Sequence, residues 1–406
     1  MKKILVILDG AADLEVGAFG GKTPLEVAET PNLDYFASNG NMGYMYPIHE
    51  GVVPGSDNAL ISIFGNDPKL SKRGVLEAIG AGFELKRGDL ALRTNFGTID
   101  NLKNKEVIDR RVGRTLSNKE AKILSEALNK KIKLPVKFEF KPLVQHRGVL
   151  VLRGGFSDNI SIIDKDNKGS KFKFSEPLDE EDNSKYTADI LNEFVEQSFK
   201  ILNNHPINLE RIRKGLFPAN MVFMRGGGVE KVKLKQYKSW MSINSMPLEI
   251  GIGKLSGMKN FSFKYPELRG IDVYDNLYKG LNESMMFGIK ILKKNHGDFT
   301  GCYIHFKETD VPGHDNKPFE KKNMIEKIDK GFFGFLRQMV EKYDWRVVVT
   351  CDHSTPCKLK AHSAHPVPVL VYPGKDYSQR FTEVESRVGN LGKIYGREFM
   401  EKTGLG

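Results

Sequence analysis

Two short segments hold most of the chain's chemistry. Between Thr350 and Tyr372, "TCDHSTPCKLKAHSAHPVPVLVY" sets Asp352 beside His353, with His362 and His365 following, so three of the nine histidines fall within thirteen residues. Farther up, "ETDVPGHDNK" puts Asp310 four residues before His314. In a turn or a first helical loop, that spacing lets one carboxylate and one imidazole meet a single cation. Adding Asp9 from "ILDGAADL" gives three carboxylates and three imidazoles (Asp9, Asp310, Asp352, His314, His353 and His362), enough for two cations. Mixed oxygen and nitrogen donors in that number suit a two-metal hydrolase or transferase.

Such a site needs a nucleophile. In "GVVPGSDNALISIFGNDP", Pro54-Gly55 marks a turn and "DNALISIF" a helix, so Ser56 stands where a helix begins. A serine there commonly serves as an N-cap. The same place suits phosphoryl transfer, because backbone N–H groups and the helix dipole hold a transferred phosphoryl group. A serine hydroxyl is a poor nucleophile at neutral pH and no base stands beside it in the sequence, which points to activation by metal. The three cysteines, Cys302, Cys351 and Cys357, are too few for a disulfide framework and suit a reducing compartment. A zinc shared by Cys351, Cys357 and nearby histidines is the weaker reading, since the spacing matches no closed structural site.

The elements that must position these residues are legible as short apolar, β-branched runs. "KKILVIL" leads into Asp9, "DFTGCYIHF" ends four residues before Asp310, and "WRVVVTC" runs into Asp352. In open α/β sheets ligands bind beyond the carboxyl ends of the strands, so three strands each delivering an aspartate predict one converging site. Between them, Phe319, Met324, Ile325, Ile328, Phe332, Phe335, Leu336 and Met339 form one apolar stripe, predicting a helix over 318–343. "YDNLYKGLNESMMFGIKILKKN" predicts another, ahead of the strand at Phe299.

The middle of the chain differs. "DLALRTNFGTI", "HRGVLVLRGG" and "ANMVFMRGGG" read as strands, alternating with helices such as the one over 186–202. Gly226 to Gly228 read as a turn after a strand, with no P-loop lysine following. "DKDNKGSKFKFSEPLDEEDNS" reads as a surface loop or hairpin. The predicted fold class is α/β, with a discontinuous outer domain (1–86 and 270–406) holding the cation site and an inserted smaller α/β domain (87–269).

A chain of 406 residues favours more than one domain. Its net charge of +11, from 62 Lys and Arg against 51 Asp and Glu, favours anionic partners. The basic residues are spread among acidic ones without interleaved aromatics, so a small phosphorylated metabolite is the better reading and nucleic acid the weaker. No apolar run approaches the ~20 residues of a membrane span. "MKKILVILDG" meets a carboxylate too early for a signal peptide, so a cytoplasmic protein is expected, with no membrane partner.

Taken together, "ILDGAAD", "KTPLEVAETPNLDYFASNG", "PGSDNALISIFGNDP", "LEAIGAGFEL", "RTNFGTI", "DRRVGR", "TDVPGHD" and the 350–372 segment resemble the archaeal-type cofactor-independent phosphoglycerate mutases of the alkaline phosphatase superfamily. The resemblance runs through nearly the whole chain. It implies an alkaline phosphatase-like core sheet with helices on both faces, interrupted by the inserted domain. By the same resemblance, Ser56 is the residue that becomes phosphorylated. Asp9, Asp352 and His353 would hold the metal that activates it, and Asp310, His314 and His362 a second one; His365 matches no ligand position.

The implied cofactors are two divalent ions, manganese or zinc, with cobalt or magnesium as alternatives, and no 2,3-bisphosphoglycerate. Arg93, Arg111 and Arg114 are the first candidates for binding the substrate's carboxylate and phosphate, with Arg225 and Lys279 behind them. The implied reaction interconverts 3-phosphoglycerate and 2-phosphoglycerate through a phosphoserine. A phosphatase or phosphonate hydrolase, or a pentose phosphate mutase, would share the metal cluster and differ in the insert. A non-catalytic polyanion binder would use the charge alone.

Overall fold

The computed structural model describes residues 1–164, 169–267 and 272–406. Its strands are β1 (Lys2–Leu8), β2 (Asn41–Tyr46), β3 (Leu90–Ile99), β4 (Val107–Asp109), β5 (Lys137–Pro142), β6 (Arg147–Arg153), β7 (Met221–Gly228), β8 (Trp240–Ile243), β9 (Lys259–Phe261), β10 (Gly301–Phe306), β11 (Trp345–Thr350), β12 (Val367–Tyr372) and β13 (Gly392–Tyr395). They form an α/β fold with two sheets. The larger is mixed and eight-stranded, in the order β13-β2-β12-β11-β1-β10-β8-β9. The smaller is antiparallel, in the order β4-β3-β6-β5, with β7 also paired to β3.

The centre of the larger sheet is parallel: β1 pairs with β10 on one side and β11 on the other. Parallel strands covered on both faces need continuous apolar sequence, which "KKILVIL", "GCYIHF" and "WRVVVT" supply. In the smaller sheet side chains alternate between two cores. Ala91, Val149 and Val151 join the core of the larger sheet, while Leu90, Leu92, Leu150 and Leu152 join a second one.

Helix Arg73–Gly80 packs between the smaller sheet and helix Pro247–Leu255. The two helices cross at glycine: a Cβ on Gly80 would lie 1.8 Å from the Pro247 carbonyl, and one on Gly251 1.9 Å from that of Leu76. This close crossing brings Arg73, Glu77 and Glu249 to the seam between the sheets.

Three expectations need adjustment. The span 87–269 supplies both sheets, because β8 and β9 extend the larger one beside β10. We therefore propose that the insert rejoins the outer domain before Trp240. The expected boundary between 269 and 270 lies outside the described residues, as do positions 165–168 of the polar stretch. The triple glycine is the end of strand β7, paired to β3 through Ala91 and Gly228. There a Cβ on Gly228 would come within 2.9 Å of Lys72 and Val75 side chains.

The helix expected over 318–343 is Pro318–Ile328 and Gly334–Val340, joined by a π turn at Asp329–Phe333. Asp329 accepts hydrogen bonds from the backbone N–H groups of Asn32 (3.3 Å) and Leu33 (2.7 Å), capping helix Pro31–Ser38. Among the described residues no helix is long and apolar enough to cross a membrane.

Candidate functional site

Because β11, β1 and β10 are neighbours running in one direction, their carboxyl ends open onto a single edge. Asp9 follows β1 directly, Asp352 lies two residues past β11, and Asp310 opens the short helix Asp310–His314 after β10. Asp352 is oriented by its Oδ1, which accepts from the N–H groups of Gly10 and His353, each at 3.1 Å. Ser56 is the first residue of helix Ser56–Ile63; the N-cap is Gly55, whose N–H donates to Asn58 Oδ1 at 2.8 Å. Relieved of capping, the Ser56 hydroxyl lies 3.2 Å from His353 Nε2.

The six ligand candidates gather into two groups, Asp9 with Asp352 and His353, and Asp310 with His314 and His362, the ligand atoms of each group within 4.8 Å of one another. In the first, His353 Nε2 stands 3.2 Å from Asp9 Oδ1 and 3.3 Å from Asp352 Oδ2. All three residues are buried, and neither of those two oxygens has a hydrogen-bond partner among the described residues. Buried carboxylate oxygens left unpaired are expensive, and a cation is the group whose charge would satisfy them.

In the second group, His314 Nε2 and His362 Nε2 lie 3.4 and 3.6 Å from Asp310 oxygens. The Nδ1 of His314 donates to the Lys360 carbonyl (3.0 Å) and that of His362 to the Pro54 carbonyl (2.8 Å). Each bond fixes the tautomer that leaves Nε2 as a ligand. The His353 and His362 rings stack at 3.6 Å, so the two groups adjoin. Thr355 also joins them: its hydroxyl donates to Asp310 Oδ1 (2.8 Å), which leaves its oxygen to accept from His353 Nδ1 (3.0 Å).

The protonation states follow from this crowding. Burial and the neighbouring Asp9 carboxylate push Asp352 up to about 7. Burial also works against ionised Asp9, but the ammonium of Lys307 and the ring of His353 outweigh it and hold Asp9 well below the usual range. Burial disfavours a charged His353, yet Asp352 and Asp9 together raise it to about 9. Burial and the stacked His353 depress His362 to about 4. Of the two stacked rings, His353 is therefore the one that takes a positive charge and His362 the one that stays neutral.

Across a cavity of about 660 Å³ the opposite wall is cationic, lined by Arg73, Arg93, Arg111, Arg114, Arg147 and Arg225. Several carboxylates offset it. Glu77 pairs with Arg73 (2.8 Å) and lies 3.5 Å from Arg93, Asp315 holds Arg114 (2.8 Å), and Asp164 lies 3.4 Å from Arg225. Among the described residues, Arg93 Nε and Arg147 Nε have no hydrogen-bond partner. Burial first, then the like charge of Arg73, brings Arg93 well below its ordinary value; burial with Arg114 and Arg110 brings Arg111 to about 10. A cavity whose cations repel one another in this way is suited to an anion of more than one charge.

Of the five substrate candidates, Arg93, Arg111, Arg114 and Arg225 line the cavity. Lys279 does not: it is exposed on helix Val273–Asn295, which turns Val273, Asn276 and Leu277 inward instead. His365 is exposed, 3.0 Å from Ser363 Oγ, outside both ligand groups. The two groups contain no cysteine; burial raises Cys351 and Cys357, the latter to about 12, which keeps their thiols protonated.

Sequence reading missed Lys307, whose ammonium pairs with Asp9 and lies 3.1 Å from buried Glu249. It also missed Arg73 and Arg147. "HFKETD" sets Lys307 immediately after a strand end, the one available signal for it.

The sequence model of the 2,3-bisphosphoglycerate-independent phosphoglycerate mutase family matches residues 37–208. The protein of that name from Thermococcus kodakarensis is 38% identical over 411 residues, covering 98% of this chain and 95% of its own. Its counterpart from Methanopyrus kandleri is 37% identical, covering 97% and 94%. Among solved structures, the PH0037 protein from Pyrococcus horikoshii superimposes with a TM-score of 0.76 at 28% identity, covering 100% of this chain and 98% of that one. A cofactor-independent phosphoglycerate mutase from Thermoplasma acidophilum does so with a TM-score of 0.57 at 26% identity, covering 100% and 99%.

Proposed function

The chain belongs to the 2,3-bisphosphoglycerate-independent phosphoglycerate mutases, and on that premise we propose that it interconverts 3-phosphoglycerate and 2-phosphoglycerate through a phosphoserine on Ser56, as a step of glycolysis and gluconeogenesis. One observation carries the reading: Asp9 and Asp310, with Ser56 beside them, face a cluster of arginines across a single cavity, and buried oxygens of Asp9 and Asp352 lack a hydrogen-bond partner among the described residues. Asp9, Asp352 and His353 would hold one divalent ion, and Asp310, His314 and His362 another. When bound, such ions favour the serine alkoxide and screen the phosphate's charge. Manganese and zinc both suit mixed carboxylate and imidazole donors.

Ser56 Oγ gives up its proton and forms the new O–P bond as the bond from phosphorus to the glycerate oxygen breaks; that oxygen takes a proton. Ser56, at a helix start, presents the bound phosphoryl group to backbone N–H groups. Arg93, Arg111, Arg114 and Arg225 keep the glycerate by its carboxylate while it turns. Its other hydroxyl then loses a proton, attacks the phosphoserine and restores Ser56. Retaining the glycerate matters because water in its place would release free phosphate.

The test is turnover of 3-phosphoglycerate by purified protein without 2,3-bisphosphoglycerate, with manganese or after chelation, in wild type and Ser56→Ala. Metal-dependent formation of 2-phosphoglycerate that is lost in Ser56→Ala is the expected result. Free phosphate without 2-phosphoglycerate would make the protein a phosphatase and overturn the proposal.

A further inference from the structure

Asp315 follows His314 directly, yet one of its partners, Arg114, belongs to the other wall of the cavity. Arg114 Nη1 donates to both of its oxygens (2.8 and 2.9 Å), and the Tyr274 hydroxyl donates to Oδ2 at 3.0 Å. Tyr274 is itself held under Lys317, whose Nζ sits 3.8 Å from the ring centroid. These groups, with Arg110 and Arg111, line a second cleft of about 590 Å³ adjoining the main cavity.

The turn that presents Arg114 is strained. Val112, Gly113 and Arg114 have φ of 54°, 61° and 57°, and a β-branched valine in the left-handed region is a genuine outlier that its surroundings must impose. At the near end of the turn, Asp109 Oδ1 accepts from the N–H groups of Arg111 (2.7 Å) and Gly113 (2.8 Å). The pair between Arg114 and Asp315 ties down the far end, and it does so across the seam, 201 residues away in the chain.

We propose that Asp315 is a positioning residue. By holding Arg114 across the seam it keeps the strained 111–114 turn in register with the loop bearing Asp310 and His314. Guanidinium groups and cation ligands then face one another at a fixed spacing before substrate enters. This rests on the reading of Arg114 as a substrate-binding residue. Tyr274 shares the load by fixing the rotamer of Asp315.

The experiment is amide hydrogen exchange and steady-state kinetics on manganese-loaded full-length protein, comparing wild type, Asp315→Asn, Asp315→Glu and Arg114→Gln. In Asp315→Asn, amides over 107–117 should exchange about tenfold faster. KM for 3-phosphoglycerate should rise about tenfold with kcat within about twofold. Manganese content per chain should be unchanged, and Asp315→Glu should recover part of the loss.

Unaltered exchange over 107–117 would overturn the proposal. So would a joint fall in kcat and bound manganese, which would mean that Asp315 acts through His314. If Arg114→Gln leaves KM unchanged, the substrate role of Arg114 fails, while exchange in Asp315→Asn still decides whether the tie exists.

Discussion

The two walls of the cavity solve opposite electrostatic problems. On one, buried carboxylates crowd together and are relieved by His353 and Lys307; on the other, arginines crowd together and are only partly relieved by Glu77, Asp164 and Asp315. The first wall rests on the ends of three adjacent parallel strands, the second on an antiparallel sheet, a helix end and a strained turn. Each wall lacks a counter-charge that a ligand would bring: a cation for the first, an anion for the second. What differs is how much depends on any single residue. A group of three candidate ligands is spoiled by the loss of one, whereas a field of several arginines degrades by degrees.

That contrast can be broken at several points. The largest effect is expected at the cage: Asp9→Asn or Asp352→Asn should lower kcat by about 10³-fold or more, with loss of bound manganese measured on the same sample. Next comes the arginine wall. Arg93→Ala should cost roughly 10- to 100-fold in kcat/KM, the range for losing charge-assisted hydrogen bonds, while manganese content stays at the wild-type level. An equal loss from Arg93→Ala and Asp352→Asn would erase the distinction between the walls.

A smaller effect is expected at the bridge. Thr355→Val removes the group that orients both His353 and Asp310, and should weaken manganese binding about 10-fold, read by titration, with the substrate KM little changed at saturating metal.

The smallest concerns stability. Arg111 is depressed in the fold to about 10, below the ordinary guanidinium value it has in the unfolded chain, so between those values the unfolded chain binds more protons. Stability contributed by this group therefore rises as pH climbs through that window, and at neutral pH its charge is a constant penalty. Arg111→Met should accordingly raise the Tm of ligand-free protein at pH 7 by about 1–2 °C. Phosphate should then stabilise the variant less than the wild type.

The walls also differed in how far they could be read from sequence. The gathering of the carboxylates and imidazoles was legible because they are rare residue types in three segments, each just past an apolar run, and parallel strands bring such positions to one edge. The α/β class and, to within a residue, the carboxyl ends of the larger sheet's central strands followed from the same runs. The arginine wall was legible only in part. Arg73 in "SKRGVLEAIG" has the pattern of a solvated helix start, and it turns inward because helix Arg73–Gly80 is wedged between the smaller sheet and helix Pro247–Leu255. No local pattern records a wedge. Lys279 lies away from the cavity for the converse reason, since its place around helix Val273–Asn295 leaves it exposed while Asn276 lines the cavity. The limits of the insert were obscured because β8 and β9 are too short to announce which sheet they join.

The central strand trio has a consequence for how the molecule is made. Register pairs Lys3 with Gly301 and Lys2 with Trp345, so β1 leaves the ribosome long before either neighbour exists. At typical synthesis rates that interval is on the order of tens of seconds. The smaller sheet uses strands between Leu90 and Gly228 and can assemble meanwhile, as a contiguous folding unit. An apolar β1 must wait with both edges unpaired, exposed to wrong partners, until most of the chain has been synthesised. The cation cage is therefore a late product of folding, and it can form only once residues from both ends of the sequence have met.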